Sequence, residues 1–328
     1  MPHHQSLADI TDVLLDDQTR GELLSEALDL YRDILLRASG IDLGGHDEMD
    51  CIHTGAGVAI GTTWAALCID DLLRTKRFAS GLYNAVNAVM DRRPGPVHIL
   101  YAGTGPWATL FLPLTTRFTP EQLQVTCIEI NDGSFASVQR TIEYFGLSNY
   151  VEDFIQTDAA THIIAGKTPV DIMLTETMQY CLMDEMQVPI ALNLMRQLAD
   201  DVIMVPERII VSLGVLEDDT NNVVKRDLGP VFTLDKSTLS AYLPVTGNLD
   251  FPTLRLPVPV PGESPDGPLA LLTTIEVFGG QNLTHYESGL TNPQIIGQYP
   301  TADNPLFAID FTYQLEPTPL LELAFIDA

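Results

Sequence analysis

The residues able to do chemistry cluster in the middle of the chain, each at the end of an apolar run. The first group is Ile99-Leu100-Tyr101-Ala102-Gly103-Thr104-Gly105-Pro106. Glycines directly after a strand let the backbone turn tightly and approach a ligand closely. Glu129 ends the next apolar run, 24 residues after Gly105. A carboxylate there can accept hydrogen bonds from both hydroxyls of a ribose. Folds that bind NAD share this arrangement, but Ala108 stands where G-x-G-x-x-G needs its third glycine. A pyrophosphate therefore fits less naturally. S-adenosylmethionine has none and is the favoured ligand of this turn; NAD and a purely structural turn are the alternatives.

Asp158 follows the third run and is placed either to receive an adenine amino group or to cap a helix. The fourth run leads into Glu176, and Glu185 stands nine positions later, with Met178 and Tyr180 between. Paired carboxylates can hold a cation and accept a proton. His162 and His285 stand alone, and lone histidines are more often structural. Cys51, Cys68, Cys127 and Cys181 show no C-x-x-C spacing, so neither a zinc site nor a redox pair is expected.

Alternating elements must position these groups. Residues 1–40 and about 62–90 carry apolar residues at helical spacing, with a glycine-rich loop over 41–57 between them. Strands are expected at Val97–Tyr101, Val125–Ile130, Val151–Gln156 and Val170–Thr175, with helices at Trp107–Leu114 and Ser134–Phe145. That alternation means a parallel sheet. From Pro206 onward prolines and β-formers dominate, predicting a mostly antiparallel β domain in which loop-rich 217–268 form an inserted arm. The division is 1–95, 96–205 and 206–328.

Composition narrows the partners. The chain has 328 residues, 45% of them apolar, as in a globular protein. Its 17 Lys plus Arg against 44 Asp plus Glu give a net charge of −27. That field repels phosphate backbones and anionic lipid and draws in cations. Nucleic acid and membrane are therefore not expected as partners. No apolar run is long enough for a bilayer, and no basic, then apolar, leader opens the sequence. A cytoplasmic protein is expected.

Around Asp171–Met186 the sequence resembles the protein arginine methyltransferase family, whose members carry two glutamates nine residues apart with Met and Tyr between. Here Thr175 replaces the usual serine before Glu176. The resemblance extends to Asp71-Leu-Leu-Arg74-Thr75, to Val205-Pro206 and to Thr274–Pro293, so it covers about residues 60–328. It implies an α/β fold: a Rossmann-like class I methyltransferase domain with N-terminal helices and a C-terminal β-barrel-like domain. It implies S-adenosyl-L-methionine as cofactor, bound by Arg74 through its methionyl carboxylate and by Gly103, Gly105, Glu129 and Asp158. Glu176 and Glu185 would be catalytic, with Met178 and Tyr180 beside them on the substrate. A homodimer docked through the arm would follow.

The chain also departs from the family. Tyr101 stands where the first strand often ends in Asp, and the Thr-His-Trp motif that shapes a peptide-arginine pocket is not found. Intact glutamates without that motif point to methylation of a guanidino group on a small molecule, such as free L-arginine. A protein arginine methyltransferase, an enzyme methylating another nucleophile such as an indole, and a non-catalytic cofactor-binding subunit are the alternatives.

Overall fold

The computed structural model describes residues 2–44, 50–165, 168–217, 223–241, 251–258, 267–300 and 306–327. Two helices open the chain, α1 (Pro2–Leu15) and α2 (Gly21–Ser39). Leu24, Leu28, Tyr31 and Leu35 form the buried stripe of α2, which ends at Gly40 in the left-handed conformation, φ 71°. The expected loop over 41–57 is partly a hairpin, β1 (Ile52–Thr54) with β2 (Gly57–Ala59), paired antiparallel; 45–49 lie outside the described residues. The helix expected over about 62–90 is broken into α3 (Thr62–Leu67) and α4 (Leu72–Arg92). A 3-10 turn at Cys68–Asp70 separates them, and Asp71 caps α4 by accepting the Arg74 N–H.

The parallel sheet comprises β3 (Val97–Ala102), β4 (Leu123–Glu129), β5 (Val151–Gln156), β6 (Ile172–Thr175) and β7 (Ile203–Val205). Helix α5 (Asp132–Phe145) follows β4, and α6 (Gln187–Met195) lies between β6 and β7. The strand order is β5-β4-β3-β6-β7, all parallel. Every residue of β3 is buried, as in a strand covered on both faces. The order reverses beside β3, and in open α/β sheets the crevice at the carboxyl ends of such strands is where ligands bind. No α-helix follows β3: Trp107–Leu114 runs instead through turns into a 3-10 helix at Leu112–Thr116, with Ala108 at φ 48°.

Antiparallel sheets follow: β8 (Arg208–Leu216), β9 (Val224–Asp235), helix α7 (Lys236–Ala241), β10 (Leu254–Pro257), β11 (Pro268–Phe278), β12 (Gln281–Leu283), β13 (Gln294–Gln298), β14 (Leu306–Gln314) and β15 (Leu320–Asp327). One sheet runs β12-β11-β8-β9 with β13 also on β11; the other runs β10-β14-β15. Phe232 stacks on Tyr313 at 4.2 Å between ring centroids and Phe251 meets both edge-on, closing the space between the sheets. The stretch read as an arm is partly sheet, because β9 pairs along β8 and β10 along β14. Helix α7 lies within it too, and 218–222, 242–250 and 259–266 lie outside the described residues.

Helix α1 is tied to α4 by a buried cation. The Lys76 side chain is fully buried, and its Nζ donates to the carbonyls of Val13, Leu14 and Asp16 where α1 ends. Ser80 adds a second bond to Leu14. Those carbonyls have no partner within α1, so the ammonium completes the helix C-terminus. Replacing Lys76 with Met should lower unfolding free energy by about 2–3 kcal/mol, because buried carbonyls lose a charged donor. Urea melts of the two proteins check this.

Candidate active site

The carboxyl ends of β3, β4 and β6 open into a cavity of about 980 Å³ including its mouth. Arg74, Gly103, Gly105, Glu129, Glu176 and Glu185 all line it. Gly103 has φ 73°, and a Cβ there would lie 2.2 Å from the Thr177 methyl. Backbone geometry and the approach of the loop after β6 therefore both require glycine. Gly105 has φ 59°, and its N–H donates to Glu129 Oε2 at 2.8 Å; the Asn131 N–H donates to Oε1 at 2.9 Å. Burial pushes the Glu129 carboxyl up, and these backbone donors oppose it. The carboxylate is held in one orientation and keeps lone pairs for further donors.

The paired glutamates differ in their surroundings. Glu176 Oε2 accepts from Arg74 Nη2 at 2.5 Å, and both side chains are largely buried. Glu176 Oε1 is buried and has no hydrogen-bond partner. Burial raises the Glu176 carboxyl while Arg74 pulls it down. Burial disfavours the Arg74 cation, but the neighbouring Glu176 charge more than offsets it and keeps Arg74 protonated. Glu185 is pushed from 4.5 to about 7, by burial first and by the Glu176 charge second.

The loop joining the two is strained. Cys181, Leu182 and Asp184 all have positive φ, 56°, 56° and 65°. Non-glycine residues there cost on the order of 1 kcal/mol or more each and persist only where the surroundings fix them. The antiparallel sheets supply the fixing bonds: Thr273 Oγ1 accepts the Cys181 N–H at 2.9 Å, the Tyr313 hydroxyl donates to the Leu182 carbonyl at 2.5 Å, and the Pro319 carbonyl accepts the Asp184 N–H at 2.7 Å. From the other side, the Val58 N–H of the β1–β2 hairpin donates to the Asp184 carbonyl at 2.9 Å, which places Val58, Ala59 and Ile60 over the cavity.

Arg74, expected on a ligand carboxylate, lines the cavity and pairs with Glu176 there. Asp158 is not on the cavity wall; its Oδ1 caps the turn by accepting the Ala160 N–H, and Thr157 and Ala159 line the cavity instead. Met178 points into the core at 2% exposure, and Tyr180 is likewise off the wall. Thr177 and Met186 face the space instead. Tyr101 and Cys68 also line it and had no local signal beyond their neighbours. Ser288 Oγ and the Gly289 N–H donate to Asp71 Oδ2 at 2.6 and 2.9 Å, three residues before Arg74. Trp107 is buried with its indole N–H on Ser39, and no cluster of metal-ligating side chains exists among the described residues.

No protein-family model matches the sequence, and no curated protein matches it. Among solved structures, the Trypanosoma brucei PRMT1 enzyme–prozyme heterotetrameric complex with AdoHcy is similar at 12% identity and a TM-score of 0.47, over 79% of this chain and 96% of that one. So distant a likeness concerns the course of the backbone alone.

The Glu185 environment has a consequence for stability. Its folded value lies above that of an ordinary glutamate, so the folded protein holds the proton between about 4.5 and 7. The associated stability is full below the lower value and is lost as pH rises through 7, on the order of 3 kcal/mol in all. Ligand-free protein should lose this stability between pH 5 and 8, and Glu185→Gln should flatten the slope in denaturant melts.

Proposed function

We propose that the protein is an S-adenosylmethionine-dependent N-methyltransferase acting on the guanidino group of a small molecule such as free arginine. The observation that carries this reading is the buried, unpartnered Oε1 of Glu176 in the same cavity as Glu185. Among the described residues, the charged groups on the cavity wall are three glutamates and one arginine, and that arginine is already paired. The excess is negative, and a buried unpaired charge is costly. A cationic ligand removes the imbalance. A guanidinium is planar, stays protonated, and presents parallel donors that two carboxylates can grip.

The other end of the cavity suits S-adenosylmethionine. Glu129 is fixed with lone pairs free for ribose hydroxyls, the Gly103–Gly105 turn has no side chain in the way, and Arg74 retains donors for a carboxylate. Bound there, the cofactor supplies a methyl group made electrophilic by its sulfonium. Glu176, bonded to Arg74, and Glu185 orient one guanidinium nitrogen toward it, and such positioning accounts for much of a transfer rate. Glu185, ionised above about pH 7, accepts the proton that the attacking nitrogen loses.

Two observations favour a small substrate over a protein side chain. The hairpin bonded to Asp184 adds Val58 and Ala59 to the wall that Glu185 shares, and the sequence has no Thr-His-Trp motif. An indole is disfavoured because Tyr101 is the sole aromatic residue on the cavity wall among the described residues. Incubation of the enzyme and methyl-labelled cofactor with free arginine, other guanidino compounds, a histone mixture and tryptophan derivatives tests the assignment. Label entering only histones or only the indoles would overturn it.

Mutants separate the two halves of the site. Glu129→Ala should weaken S-adenosylhomocysteine binding by about 1–3 kcal/mol in calorimetric titration, with the fold retained. Glu176→Gln and Glu185→Gln should keep cofactor affinity yet lose methyl transfer by at least about a hundredfold in single turnovers, because a charged grip and a proton acceptor are lost together.

A further inference from the structure

Gln187 stands two residues after Glu185, in the first turn of α6, and is 2% exposed. Its side-chain amide reaches back to the loop after β6. Nε2 donates to the carbonyl of Thr175 at 3.2 Å, and Oε1 accepts the Thr177 N–H at 3.0 Å and the Thr177 hydroxyl at 3.3 Å. Thr175 and Thr177 are the neighbours of Glu176 on either side. One amide thus ties together the main-chain groups flanking the first glutamate, from a position two residues beyond the second. Gln187 does not line the cavity, so it acts through its neighbours.

We propose that Gln187 is a positioning residue that fixes the separation and direction of Glu176 and Glu185, so that both carboxylates meet the same substrate group. The need for such a tie follows from the path between them. The chain leaves β6 at Thr175, passes a single 3-10 turn at Tyr180–Leu182 and three positive-φ residues, and enters the next α-helix only at α6. The bonds from Thr273, Tyr313 and Pro319 hold the middle of that path, residues 181–184, and not its ends. Gln187 links the two ends directly. A side chain without an amide would leave the Thr175 carbonyl and the Thr177 N–H without these partners beside Glu176. The loop would relax to recover hydrogen bonds, admitting water and separating the glutamates.

The inference rests on reading Glu176 and Glu185 as the substrate's carboxylates, and one readout needs no substrate. Gln187→Met keeps the length of the side chain and removes all three hydrogen bonds. NMR titration of carbon-13-labelled glutamate carboxyls in the ligand-free protein should show the Glu185 midpoint falling by at least about one pH unit from its value near 7. In turnover with the guanidino substrate, kcat should fall by at least about tenfold, with the KM for cofactor changed less than about twofold. The acid limb of the kcat profile should move down with the Glu185 midpoint, a shift that general loss of stability would not produce. An unmoved midpoint and an unchanged kcat would overturn the proposal. Should Gln187→Met not fold, Gln187→Glu keeps the acceptor and loses the donor; a tenfold lower kcat at unchanged cofactor KM supports the tie, and wild-type turnover refutes it. If wild-type protein methylates no guanidino compound, the functional reading fails, while the titration still decides whether Gln187 sets the pair.

Discussion

The geometry of the site depends on the backbone between Glu176 and Glu185 being held where it would not rest on its own. Three residues with side chains sit in the left-handed region within four positions, and main-chain groups of this stretch are bonded to elements far away in sequence. Thr273, Tyr313 and Pro319 approach from the antiparallel sheets and Val58 from the hairpin. The strain is local, whereas the bonds that maintain it come from elements spread across the chain. This explains why the C-terminal sheets pack against the ends of the parallel strands: they supply the partners that let the second carboxylate turn back toward the first.

Charge follows from the same burial. Burial raises both carboxyls; Arg74 opposes the shift at Glu176, while Glu185 is pushed further toward neutrality by burial and by the first carboxylate. One member of the pair has a cation bonded to it and the other is poised near physiological pH. Asp71 holds the helix that carries Arg74 in register, and its own carboxylate is fixed by Ser288 and Gly289. The parallel-sheet half of the cavity is simpler: a short turn without side chains and one carboxylate oriented by two backbone donors.

Much of this was legible in the sequence where local chemistry decides it. The glycines, Glu129 and the buried strands follow from periodicity and turn chemistry, and they stand together in the cavity. The nine-residue spacing of the glutamates marked the pair through resemblance. Local signals failed where tertiary bonds decide. The break between α3 and α4 comes from Asp71 capping a new helix, which helical spacing across 62–90 masks. The short hairpin depends on pairing with Asp184, more than a hundred residues away. The stretch after β3 has helical spacing yet follows turns, with Ala108 at positive φ. Asp158 was ambiguous between ligand contact and cap, and its carboxylate caps the turn. Gln187 carried no signal, because a glutamine beginning a helix is ordinary until its partners across the loop are known.

The attachment of the hairpin to Asp184 has a consequence for how the cavity could be rebuilt. A parallel-sheet unit cut out at residues 96–205 would keep the glycine turn, Glu129 and both glutamates, yet would lose Arg74, the hairpin and every bond from the antiparallel sheets. Its glycine-turn end would travel with it and its paired-glutamate end would not. The two ends of the cavity are therefore unequal in modularity: the glycine turn with Glu129 is local to one stretch, whereas the seat of Glu176 and Glu185 is a shared property of three stretches of chain that must be inherited together.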